Sequence, residues 1–310
     1  MYRAGPPASG HGHAPIRVHG SWRREFGGSS ESARDPAFRA YVADMVRPYR
    51  LGLREDLLGQ GRGQSYMEMA GTLLAETLPA EQPVDLLVLA FAVPDTAPGL
   101  SSACYLSHLC PGEPLAFAVC DQGAAAPFSA LRLIAEYART GDCPRAILVI
   151  AEQATLHHDL AAPAAVPTKN AVVTLLCGES GPGRVDAVRQ HTGVEPAQAG
   201  ELLAAELAGL PGAPDDVTLI IGAGFAATGW PDTTAPAIQA VGQVCTAPAG
   251  QPCTGVWWEL AGRLPGWAAS GRRVLLADYD PALGNLCLSA IDVEASFAGS
   301  ARPRAAAPPR

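Results

Sequence analysis

The sequence predicts an α/β protein built from two similar halves. Short apolar runs alternate with longer amphipathic stretches, the pattern of buried strands flanked by helices. A helix, a Pro-containing turn, an acidic residue and a strand follow one another twice, as PVDLL in the first half and PDDVTL in the second. The composition is globular, 48% apolar and 17% charged with abundant Ala, Gly and Pro, and 310 residues suffice for two halves of about 150 each.

The elements follow in chain order. Residues 1–14 lack apolar periodicity and read as a mobile tail, as do residues 296–310. A first half, 15–180, holds a helix over Gln64 to Leu78 and a buried strand over Asp85 to Phe91. A helix over Ala125 to Tyr137 places Ala126, Ala130, Leu133, Ile134 and Tyr137 on one face. Strands follow at Ala146 to Ile150 and Ala171 to Leu176, and the Gly/Pro-rich run SGPGR at 180–184 marks the boundary. The second half, 181–295, repeats the theme with a helix over Glu201 to Leu207 and strands at Val217 to Ile221 and Arg273 to Ala277. Trp257 and Trp258 sit inside a further helical stretch and read as core or interface packing.

Charge and cysteine usage exclude several classes. A formal charge of −8 without a basic patch argues against nucleic-acid binding. The eight cysteines form no CxxC pair and have no histidines at ligand spacing, so neither a zinc site nor another metal cofactor is expected. No apolar run follows the first positive charge and none approaches the about 18 residues of a membrane span, so reduced thiols and a cytoplasmic location are expected. Arg far outnumbers Lys, as in GC-rich bacterial genomes. There is no GxxxxGK[ST]; GAGFAATG at 222–229 has its third Gly too late for a dinucleotide loop, and GES at 178–180 lacks the GxSxG form of a serine nucleophile.

Several segments carry a resemblance. VDLLVLAFAVPD at 84–95, FAV at 117–119, ALRLIAEYARTG at 130–141 and RAILVIAEQ at 145–153 resemble the N-terminal half of a type III ketoacyl synthase. Weaker matches at 214–221, 246–264 and 271–284 extend the resemblance over most of the chain. It implies a thiolase-like fold, two duplicated α/β halves in a layered αβαβα sandwich, and an enzyme class that condenses an acyl-CoA starter with malonyl on a carrier protein. Such chemistry needs a cysteine at a helix N-terminus, where the dipole and backbone N–H groups favour a thiolate and a thioester oxyanion. It also needs a His and an Asn to hold the enolate.

In this chain the three places implied by the resemblance hold Ala124, Gly222 and Cys253, and no His follows His191. The family's Gly-Asp-Gly motif is replaced by PTKNAVV at 167–173. The nearest thiol to Ala124 is Cys120, read either as a small buried core residue or as a displaced nucleophile. His157 and His158 are loop residues or substitute bases. Asp121, Gln122 and Gly123 could bond a ligand, block an emptied pocket or face a dimer interface. Arg184, Arg189, Arg263, Arg272 and Arg273 are candidate contacts for an acidic acyl carrier protein, or scattered solvated charges.

The expected role is that of a non-condensing ketosynthase-like subunit of a polyketide or fatty-acid-type pathway. It would form a homodimer, or a heterodimer in which it shapes the acyl chamber of an intact ketosynthase, without cofactor. The alternatives are an acyltransferase or thioesterase-like enzyme using Cys120 with His157 or His158 on acyl-CoA or acyl-carrier thioesters, and a protein that keeps a small ligand in the old substrate pocket.

Overall fold

The computed structural model describes residues 16–295 apart from 98, 142, 160–165 and 231–235, so both tails lie outside the described residues. The first half runs β1 (Arg17–Phe26), α1 (Pro36–Val46), α2 (Glu55–Gln60), α3 (Tyr66–Thr77), β2 (Leu86–Ala90), α4 (Ser102–Leu109), β3 (Leu115–Val119), α5 (Ala126–Thr140), β4 (Arg145–Glu152) and β5 (Asn170–Gly178). The second runs β6 (Gly183–His191), α6 (Pro196–Gly209), β7 (Val217–Ile221), α7 (Pro236–Gln239), β8 (Gln243–Thr246), α8 (Gly255–Ser270), β9 (Arg272–Asp280) and β10 (Asn285–Val293). With α1 and α2 set aside, the two halves share one order of strands and helices.

The sheet order β3-β2-β4-β5-β1-β6-β10-β9-β7-β8 carries the same symmetry, since each half reads third, second, fourth, fifth, first from its outer edge. Within the sheet the two halves pair where Arg17 and Val18 meet Arg184 and Gly183. Apolar residues of α5 and α8 share one core with strands of both halves. Helices α3 and α4 pack on the outer face of the first half-sheet, and α6 with the turn 223–228 on that of the second. The layers are therefore αβαβα. Phe128 of α5 and the fully buried Trp257 of α8 meet at 4.8 Å between ring centroids and tie the central helices together.

Local chemistry sets the element ends. Ser65 and Glu68 form a reciprocal capping box, so the helix expected from Gln64 starts at Tyr66. Tyr66, Met69, Ala70, Leu73 and Leu74 then bury one face. Helix α5 continues three residues beyond Tyr137 and stops at Gly141, whose φ of 83° suits the left-handed terminator. Helix α6 is longer than expected, because Glu195 and Gln198 box its start and Pro196 occupies the first turn.

A candidate site at the end of strand β9

The chain leaves β3 through Cys120 and reverses over Asp121 and Gly123, both left-handed at φ 59° and 53°, into a 3-10 turn over Gly123–Ala125 that feeds α5. Ala124 stands buried in that turn. Gln122 is turned inward: its Oε1 accepts from Ser129 Oγ, which itself accepts from Gln190 Nε2 at 2.9 Å. The backbone amide of Ala124 points toward Asp280, with 3.4 Å from N to Oδ2. A Cβ on Gly123 would overlap the same carboxylate, so only glycine lets Asp280 come this close.

The end of β9 also receives the other two places. Gly222 follows β7, and a Cβ there would overlap Asp278 Oδ1, so the carboxyl of Asp278 stands where a side chain at 222 would begin. Cys253 precedes α8 and is fully buried. Its amide and the Thr254 hydroxyl both donate to the carboxylate of Glu152, the last residue of β4. Ala124, Gly222 and Cys253 are thus brought together around Asp278, Asp280 and Glu152. None of these three acids was singled out from sequence; the signal was an acid inside an otherwise apolar strand, in RAILVIAE and RVLLADYD.

Electrostatically this centre is rich in acceptors and poor in cations. Burial pushes Glu152 up to about 7 despite its hydrogen bonds from Thr254 and Cys253, and drives Asp278 well above the ordinary carboxylate range, with Glu152 and Asp280 adding repulsion. The Cys253 thiol is likewise pushed well up, first by burial and then by Glu152 and Asp278, so it stays a neutral S–H. Among the described residues the buried oxygens Gln153 Oε1 and Gln251 Oε1 have no donor partner. No group of three or more potential metal-ligating side chains occurs among the described residues.

The substitute catalytic residues do not assemble. Cys120 is half-exposed rather than buried in the core, because the chain has already left the sheet; its Sγ lies 3.4 Å from Asp121 Oδ2. Partial burial and Asp121 raise its pKa, opposite to what a nucleophile needs. His157 is buried against Phe38, and its Nε2 is 2.6 Å from the Arg62 carbonyl oxygen. Burial lowers its pKa. His158 Nδ1 lies 2.8 Å from Asp159 O. No hydrogen bond joins Cys120 to either histidine among the described residues.

An apolar cavity of about 240 Å³ lies nearby, lined by Val42, Met45, Val93, Pro94, Leu156 and Val166 among others. Ala92 in its wall also directs its amide at the Cys253 thiol, whereas Ala124 is not part of the wall. The five candidate docking arginines are engaged within the chain. Arg184 and Arg273 share Asp292, Arg189 pairs with Glu206, Arg263 with Glu259, and Arg272 donates to Thr218 Oγ1 at 2.7 Å. The Gly-rich run 222–229 forms a 3-10 turn closed by Gly229, not a phosphate cradle.

No family model matches this chain, and no curated protein matches it in sequence. Solved structures do. AbyA1, a tetronic acid condensing enzyme, matches with a TM-score of 0.61 at 16% identity over 89% of this chain and 99% of its own. OleA of Xanthomonas campestris, with bound lauric acid and lauroyl-CoA, gives 0.58 at 13% over 90% and 99%. ChlB3, an acyltransferase, gives 0.56 at 16% over 91% and 98%. The fold is thiolase-like. These thiolase-fold neighbours are condensing and acyl-transferring enzymes of the type III ketosynthase kind, and identities this low speak to architecture alone. No helix among the described residues is long and apolar enough to cross a membrane.

Proposed function

We propose that this chain is a non-condensing, ketosynthase-like subunit that pairs with a catalytically intact homologue and shapes its acyl chamber, in a bacterial pathway that builds acyl or polyketide chains. The observation that carries this reading is the tip of α5: a methyl group where an acyl-accepting sulfur would be needed, with the adjoining amide already facing Asp280. Gly222 offers no base, and Cys253 is a buried neutral thiol hydrogen-bonded through its backbone to Glu152. Coverage of 99% of two solved chains of this fold, one of them a tetronic acid condensing enzyme, supports a retained scaffold.

The alternative of a transferase or thioesterase centred on Cys120 is less well supported, because a thiol raised by partial burial and by Asp121 and a histidine bound to a carbonyl oxygen do not form a nucleophile and base pair. The test is co-expression. The tagged chain, produced together with a triad-bearing ketosynthase from the same genome, is expected to elute with it as a one-to-one complex and to change its product chain lengths. Elution solely as a homodimer, with unchanged products, overturns the reading.

A further inference from the structure

We infer that Asp280 is a built-in plug that keeps the acyl site of this chain shut, with Asp278 filling the neighbouring space at Gly222, so that a thiol placed at position 124 alone would not restore acylation. The inference rests on reading the α5 tip as a silenced condensing centre. It adds that silencing came from filling the site as well as from removing the nucleophile.

Residues two apart on a strand face the same way, so one strand delivers both carboxyls to one side. Asp278 occupies the space beside Gly222, and Asp280 the space beside Gly123 and the Ala124 amide. The Asp280 carboxyl is oriented from behind: its Oδ1 accepts from the amides of Ala282 and Leu283 at 3.0 and 3.1 Å, leaving Oδ2 for the helix tip. The other half holds a counterpart. Glu152, the last residue of β4, caps the start of α8, as Asp280, the last residue of β9, faces the start of α5. Each half thus hands a terminal carboxylate to the central helix of the other. At α8 this is a buried cap, and at α5 it fills the place where an acyl carbonyl would polarise.

Acyl transfer onto a thiolate at 124 would form a carbon–sulfur bond to the thioester carbonyl carbon. The bond to the coenzyme A sulfur breaks, and coenzyme A leaves as a thiolate that takes a proton from water. Between these events the carbonyl oxygen carries negative charge and needs the amide of residue 124. A carboxylate facing that amide competes for it and repels both the thiolate and the oxyanion.

The full chain would be prepared as Ala124→Cys, Ala124→Cys/Asp280→Gly and Ala124→Cys/Asp280→Asn; the asparagine variant keeps the turn acceptor and guards against misfolding. Each would be incubated with acetyl-CoA and read by intact mass with peptide mapping, and the iodoacetamide rate at position 124 would be measured at pH 7. No acetyl adduct is expected in the single variant and an adduct at 124 in the glycine double variant. Iodoacetamide should react about tenfold faster in both double variants, the effect of a one-unit pKa shift. An adduct in the single variant as rapid as in the doubles, or equal iodoacetamide rates, overturns the plug while leaving the partner reading to co-expression. No reaction at 124 in any folded variant overturns the placement of residue 124 at an open tip, and the plug with it.

Discussion

Asp278 receives a hydrogen bond from the Tyr279 amide at 3.0 Å and, among the described residues, no cation pairs with it. Burial therefore raises its folded-state pKa above that of the unfolded chain. At pH below the unfolded value both states hold the proton, and the group costs nothing. As pH rises past that value the unfolded chain alone releases its proton, so stability falls and stays low above the folded pKa. Glu152 behaves alike, with its window closing near pH 7 where burial has pushed it, a penalty on the order of 3 kcal/mol. Asp278→Asn keeps the acceptor for Tyr279 and removes the charge. In urea unfolding its midpoint should equal that of the parent near pH 3 and exceed it at pH 8. A variant less stable at pH 8 would mean that the carboxylate is ionised and held by its surroundings.

The helices show which parts of the sequence were readable. In α3 the apolar face and the Ser65–Glu68 box agree with each other and with the fold, and Ser65→Ala should cost about 1 kcal/mol, seen as a lower melting temperature with unchanged circular dichroism at 20 °C. An unchanged melting temperature would mean that packing of Tyr66 and Met69 alone holds the helix. Strands β2, β4, β5, β7 and β9 were legible as apolar runs because both their faces are covered. Strand β1 was not. RVHGSWRREF carries charges because it lies across the junction of the half-sheets with much of its surface open, and no alternation survives the bulge between Val18 and Gly20. The same limit applied at the site. Ala124, Gly222 and Cys253 were named from the resemblance, whereas the acids beside them, Glu152, Asp278 and Asp280, stand at the ends of strands remote in sequence, and no local pattern ties them to those three positions.

Across the whole molecule, one sheet edge is built differently from the interior. Among the described residues strand β3 pairs only with β2, and it is partly open: Leu115 is 56% exposed, Val119 is buried, and Phe117 packs at 6.1 Å on Tyr137 of α5. An apolar edge strand with free N–H and C=O groups invites a second sheet. The turn after β3 begins with Cys120 and the exposed Asp121, so a chain docked on this edge would lie against the segment that leads to Ala124. A lysine at an edge position blocks such pairing by burying a charge without a partner. Leu115→Lys should weaken self-association or capture of a homologue at least tenfold by sedimentation equilibrium. Because Leu115 contributes little to the core, the melting temperature of the isolated chain should stay within a few degrees of the parent. Association undiminished by the lysine would move the interface to another face and leave β3 as an edge protected only by its short length.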